Sequence, residues 1–312
     1  GAVGSASSAS PSLSANGDAV AFESNAPLAG EAGVTDTNGL ADVYRRTLAG
    51  QTRLMSRREA SPTAGDSISR NASISPDGVS VAFESRSTNL DAQVADVNGS
   101  TDVYVRAAAA TNLASRADGV AGALGSGDSY APAAGLVVVG NKMLVSFTSG
   151  AAEITGGPDG LNQIVLRNVT DGVTEVISRN GPEIGDRGSR SSAVNADASR
   201  VAYATDAANL GASSSGDFAA VLLRDRAAGT TELISRPPGN GALAGDLEES
   251  DLDRGRRTIS ADGRYVVFFS GSNPLLGALP GDRFNHVFRK DLLTGELLQL
   301  DRPDGGGSAT RY

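Results

Sequence analysis

Cysteine is absent from the 312-residue chain. That excludes a disulfide framework, a thiolate zinc site and a cysteine nucleophile. Tryptophan is absent too and aromatics reach only 4%, so the core must be built from Val, Ala, Leu, Ile and a few Phe, a composition suited to closely packed sheets. Lysine occurs only as Lys142 and Lys290 and histidine only as His286, leaving arginine to carry nearly all positive charge. With a formal net charge of -9, the chain lacks the basic excess needed to displace counterions from a phosphate backbone, which argues against nucleic acid as a partner. No apolar run approaches the roughly 18 residues of a membrane span. Runs such as Leu136 to Val139 and Tyr265 to Phe269 fall far short of that length, so no transmembrane segment is expected. No signal peptide is visible, and because residue 1 is Gly, an export signal is expected to have been removed.

What is present is repetition. Ser12 to Ser24 reads SLSANGDAVAFES, and 61 residues later (73 − 12 = 61) Ser73 to Ser85 reads SISPDGVSVAFES. The phrase returns in worn form as MLVSFTS from Met143, SRVAYAT from Ser199 and RYVVFFS from Arg264. A second element follows each time: DVYRR from Asp42, DVYVR from Asp102, QIVLR from Gln163, AVLLR from Ala220 and HVFRK from His286. A third closes each unit, as TRLMSR from Thr52, TNLASR from Thr111, TEVISR from Thr174, TELISR from Thr231 and LLQLDR from Leu297. The units span approximately 10–57, 72–116, 131–179, 192–236 and 257–302, and a fixed spacing of this size marks a stacked or circular architecture.

Within each unit the pieces are β-branched or aromatic and bounded by Gly, Asn and Asp, which predicts strands. In the second unit these are Ala72 to Ser75, Ser80 to Ser85, Asp102 to Arg106 and Thr111 to Ser115. Asn16-Gly17, Asp77-Gly78 and Asp262-Gly263 supply the φ > 0 residues of a tight hairpin between the first two strands. One such meander leaves both apolar faces wet, so the units must stack. The expected fold is therefore all-β: a β-propeller of four-stranded antiparallel blades forming a single domain over 1–312, with five blades, or six with one blade missing or unrecognised. The first and third connections are tight, whereas the second and fourth, such as Arg86 to Thr101 and Arg116 to Ala131, are long and polar. Binding is expected at the end of the sheets that carries the long connections.

The units resemble the TolB-type, WD-like β-propeller repeat of bacteria, which reads Ser-x-Ser-x-Asp-Gly, an apolar strand ending in Phe-x-Ser, then Asp-Val-Tyr. They also resemble a secreted variety with an Asp-x-Asn-Gly loop, here Asp36-Thr37-Asn38-Gly39 and Asp96-Val97-Asn98-Gly99. The resemblance implies a binding or interaction scaffold, periplasmic or extracellular, without a required cofactor or a catalytic residue.

Asp36, Asn38 and Asp42, matched by Asp96, Asn98 and Asp102, place oxygen ligands at positions one, three and seven of a calcium-type loop, although the glycine at six and the glutamate at twelve are missing. The competing reading is an Asx turn shaping the loop. Arg57, Arg116, Arg179, Arg236 and Arg302 recur at the end of each fourth strand, where a repeated structural role is expected. His286 has no Ser or Cys partner in sequence. Asp246, Glu248, Glu249, Asp251 and Asp253 precede Arg254, Arg256 and Arg257 in what reads as a solvated acidic loop.

The segment from Gly135 to Met143 fails as a phosphate loop because Asn141 separates Gly140 from Lys142 and Met143 takes the place of the hydroxyl. No Gly-x-Ser-x-Gly elbow occurs, which disfavours a serine hydrolase. Two functions follow. The first is a non-enzymatic scaffold engaging a protein, a peptide or an envelope glycan, its loops stiffened by calcium if the Asp/Asn motifs bind it. The rival is a glycoside hydrolase on a five-bladed propeller, which needs two carboxylates flanking one cleft. The matched first-strand positions Ser14, Ser75, Asn195 and Ser260 carry none, so Glu23 and Glu84 at the ends of second strands are its only candidates.

Overall fold

In the computed structural model, which describes residues 4–59, 61–107, 110–132, 136–211, 219–237, 250–252, 257–271, 275 and 285–301, a hydroxyl pair joins the first two strands of every repeat. Ser8 bonds Ser24, Ser69 bonds Ser85, Ser129 bonds Ser149 and Ser189 bonds Thr205, each at 2.9 Å, and Ser250 bonds Ser270 at 2.7 Å. The second hydroxyl of each of the first four pairs also accepts the N–H two residues on, from Ala26, Ser87, Ala151 or Ala207, turning the chain out of the sheet. All of these residues but Ser8 are buried, and their short hydroxyl side chains satisfy themselves and the backbone together.

The first repeat folds as β1 (Ser8–Leu13), β2 (Ala19–Ser24), β3 (Asp42–Thr47) and β4 (Thr52–Leu54); the second as β5 (Ser69–Ile74), β6 (Val81–Ser85), β7 (Asp102–Ala107) and β8 (Ala110–Leu113). The third comprises β9 (Ser129–Tyr130), β10 (Leu136–Val139), β11 (Lys142–Ser149), β12 (Gln163–Asn168) and β13 (Val173–Val176), with a one-turn helix α1 (Ala152–Thr155) after β11. A two-stranded hairpin, β14 (Arg179–Asn180) and β15 (Glu183–Ile184), precedes β16 (Ser189–Val194), β17 (Arg200–Thr205), β18 (Ala220–Asp225) and β19 (Thr230–Leu233). The last repeat holds β20 (Ser250–Asp251), β21 (Tyr265–Ser270), β22 (His286–Asp291) and β23 (Leu297–Gln299). Each repeat pairs its strands in chain order as an antiparallel meander, β9 adding to β11 in the third. These are the blades of a β-propeller.

By its contacts the chain divides into two compact units, 1–161 with 165–175, and 162–164 with 176–312. In the first unit the strand alternation explains the stacking. On β6, Val81 and Phe83 pack with Ala19, Ala21, Val43 and Met55 of the first sheet, while Ala82 packs with Val145, Phe147 and Val165 of the third. Both faces of the second sheet are therefore dry, which is why its strands read as nearly continuous apolar runs. The hairpin turn contributes as well: Gly78 has φ 73°, and a Cβ there would meet the Cβ of Ala19 at 3.0 Å. Glycine is required by conformation and by proximity at once.

The first strands begin earlier than the sequence pattern indicates. In the second repeat the strand expected from Ala72 starts at Ser69, and in the first it takes in Ser8 to Ser10 of a stretch that looks like a linker. The cause is a bulge. Ser10, Asn71 and Ser191 adopt φ of 51°, 52° and 55°, and the pairing register shifts at each of them. Ala131, with φ 56°, follows β9 at the matching position. Non-glycine residues in this conformation give no sequence signal. Among the described residues no helix is long and apolar enough to cross a membrane.

Candidate functional site

The Asp/Asn loops lie between second and third strands, and their side chains bond one another. Asn38 Nδ2 donates to Asp42 Oδ2 at 2.7 Å and to the Gly65 carbonyl at 2.9 Å, while its Oδ1 accepts the N–H of Leu40 at 2.7 Å. Asn98 repeats this with Asp102, Gly125 and Ser100 at 2.7, 2.8 and 2.8 Å. Ser56 and Ser115 each donate to the other carboxylate oxygen at 2.6 Å. Asp36 and Asp96 accept the hydroxyls of Tyr44 and Tyr104. The Leu40 and Ser100 N–H groups on Asn38 Oδ1 and Asn98 Oδ1 close Asx turns, while each amide N–H2 lies against the Asp42 or Asp102 carboxylate. Among the described residues no group of three or more His, Asp or Glu is placed to hold a metal ion. Burial raises the Asp42 carboxyl to about 7 and that of Asp102 to about 6, against the hydrogen bonds that pull both down.

The repeated arginines use their backbone as much as their side chains. The Arg57 carbonyl accepts Arg106 Nη1 at 2.7 Å and Thr111 Oγ1 at 2.6 Å from the following sheet. The Arg116 carbonyl accepts Thr174 Oγ1 at 2.9 Å, and that of Arg179 accepts Thr231 Oγ1. Their guanidinium groups stay local: Arg57 reaches Ser61 at 2.6 Å and Glu31 at 3.4 Å, Arg116 reaches Gly122 at 2.9 Å, Arg179 reaches Gly181 at 2.8 Å and Arg236 lies 3.6 Å from Glu232. Arg302 lies outside the described residues. A second arginine series, Arg46, Arg106, Arg167 and Arg224, closes the third strand of the first four repeats onto Thr52, Thr111, Thr174 and Thr231 of the fourth at 2.6, 2.7, 2.6 and 3.3 Å. Its regular place in the DVYRR-type element was a signal available in the sequence.

Glu23 and Glu84 hold the bulges. The N–H of Asn71 donates to Glu23 Oε2 at 3.0 Å and the N–H of Ala131 to Glu84 Oε2 at 2.9 Å, each from the following first strand. Asn71 Nδ2 adds a bond to Glu84 Oε1 at 2.7 Å. Beside Glu84 opens a cleft of about 260 Å³ lined by Ile68, Arg70, Glu84, Ser85, Arg86 and Thr101. It sits in the first unit, at the end of the second sheet where both long connections leave. Sequence reading singled out Glu84 but neither arginine.

His286 Nδ1 lies 2.7 Å from Asp301 and 3.0 Å from Gln299, a local cluster at the outer edge of its sheet. Of the acidic stretch 246–253, Asp251 is described and is not solvated: it is buried on β20 and pairs with Arg190 at 2.8 Å. Strand pairing with β21 draws it into the sheet. Asp246, Glu248, Glu249, Asp253, Arg254 and Arg256 lie outside the described residues.

No family model and no curated protein matches the chain. Solved structures do. A TolB-like protein from Agrobacterium tumefaciens is 14% identical with a TM-score of 0.47, over 94% of this chain and 80% of that one. A prolyl endopeptidase is 12% identical with a TM-score of 0.51, over 96% of this chain and 37% of that one. A puromycin hydrolase is 16% identical with a TM-score of 0.47, over 97% and 40%. The chain thus spans about two fifths of the length of these two hydrolases. At such identities the likeness is one of fold: the match at a TM-score of 0.51, with the repeated meanders, describes a β-propeller.

Proposed function

We propose that the chain is a non-enzymatic binding scaffold of the cell envelope or exterior, its five repeats making one propeller domain that engages a partner at the end bearing the long connections. The observation that carries this reading is the use made of Glu23 and Glu84. A glycosidase pair must face substrate, one carboxyl as acid and the other as nucleophile or base. Here both carboxylates accept backbone N–H groups of the neighbouring bulge, a structural task, and the cleft presents arginine instead. A panel of glycoside and peptide substrates is expected to give no turnover. Saturable turnover abolished by Glu23→Gln or Glu84→Gln would establish the hydrolase reading in its place.

The Asn38 and Asn98 hydrogen-bond sets support loops that hold their shape without a metal. The midpoint of thermal unfolding is expected to be the same in millimolar calcium and in chelator, because an ion bound only by the folded state would raise it by mass action. A clear rise with calcium would assign Asp36, Asn38 and Asp42, with Asp96, Asn98 and Asp102, to a bound ion.

A further inference from the structure

Internal repetition lets the cleft at Arg70 be compared with its own counterpart. In the fourth repeat Arg190 occupies the matching place, one residue before the bulge residue Ser191 as Arg70 precedes Asn71. Arg190 Nε lies 2.8 Å from Asp251, on the next first strand, and Nη1 lies 3.2 Å from Asp206, just past the end of β17. In the second repeat both acidic positions are gone. Arg86, just past β6, stands where Asp206 would, and Tyr130 stands where Asp251 would. Glu84 is opposite Arg70 in the strand pairing, yet its two oxygens are bonded by Asn71 and Ala131. The Arg70 guanidinium therefore lines an open cleft without a hydrogen bond or ion pair among the described residues. Arg86 shares the cleft, oriented by a bond from its Nε to Thr101 Oγ1 at 3.2 Å.

We propose that this cleft binds the carboxylate of an acidic peptide, clamped by Arg70 and Arg86 in the place that Asp251 and Asp206 fill around Arg190. The inference rests on the scaffold reading and names its ligand class. Arginine's planar fork suits a carboxylate in two-point contact, and two guanidiniums in one cleft repel until an anion joins them. Glu84 shapes the rest of the choice. Each of its oxygens retains a free lone pair, so it accepts an N–H donor beside the bound carboxylate, and a peptide carries that donor next to its acidic side chain.

Fluorescence anisotropy on the full chain, with a labelled tri-glutamate peptide and its tri-glutamine counterpart, tests the assignment. The acidic peptide is expected to bind saturably and the neutral one not, with affinity falling as salt screens the pair. Arg70→Ala and Arg86→Ala should each weaken binding about tenfold or more. Arg53→Ala, removing an exposed arginine elsewhere in the first unit, should leave it unchanged, and circular dichroism should show all three variants folded. Equal binding of the two peptides, an equal loss in Arg53→Ala, or binding of an oligouronate but no peptide would overturn the proposal while leaving a non-enzymatic scaffold standing. Turnover of a substrate would instead remove the scaffold reading itself.

Discussion

Phe83→Ala is expected to lower the unfolding free energy by about 3–5 kcal/mol, the usual cost of deleting a large side chain from a core that cannot collapse into the space. Phe83 is fully buried, stacks on Tyr104 with ring centroids 6.0 Å apart, and packs with residues of the first sheet as well as its own. The same place in the first repeat is held by Phe22, which stacks on Tyr44 at the same 6.0 Å but is only partly buried and packs around Tyr44 and Leu54. Phe22→Ala should therefore cost distinctly less. Urea unfolding followed by circular dichroism or tyrosine fluorescence gives both values, the absence of tryptophan leaving tyrosine as the intrinsic probe. A loss below about 1 kcal/mol for Phe83, or equal losses at the two positions, would show that the sheets are not packed face to face as described.

Stability should also fall as pH rises from about 4 to about 8, a direction opposite to that expected of a protein held by carboxylate ion pairs. Burial makes the folded Asp42 and Asp102 keep their protons up to about 7 and about 6, against a model-compound value of 3.8. The folded state thus binds more protons than the unfolded chain across this window. The stability gained is complete below pH 3.8 and is lost as pH rises through the folded values. Its size is on the order of a few kcal/mol. Asp291, whose carboxyl is held low by its bonds from Arg264, acts in the opposite sense and loses its contribution only as pH drops below the ordinary carboxylate range. In the double variant Asp42→Asn with Asp102→Asn the difference in slope against the wild type should be visible whatever the variant loses in absolute terms. An unchanged slope would mean that these two carboxyls titrate as they do in water.

The sheets were legible from sequence because the first, second and fifth repeats write their first hairpin turn as Asn-Gly or Asp-Gly and the second and third strands run nearly continuously apolar. β7 and β8 lie within two residues of their expected limits. The first strands were less legible, since the bulge at Ser10, Asn71 and Ser191 uses residues whose side chains do not advertise a left-handed backbone. The role of Glu84 could not be read from its position either. A carboxylate that bonds an N–H 47 residues away becomes intelligible only when sheets stack. The cleft left a trace nevertheless: aligning the repeats sets Arg70 and Arg86 against Arg190 and Asp206, and the change of charge at the second place is what distinguishes an open site from a closed one.

The carbonyls of Arg57, Arg116 and Arg179 all look forward along the chain for their donors, to Thr111, Thr174 and Thr231. In this set of bonds the acceptor always precedes its donor in the chain. A polypeptide leaving the ribosome carries, at the trailing edge of whichever module has just emerged, an acceptor that stays solvated until roughly fifty more residues have been synthesised. Trimming from the carboxyl end uncovers such an acceptor, whereas trimming from the amino end strands its donors, the threonine hydroxyl and, at Arg57, the buried Arg106 guanidinium as well.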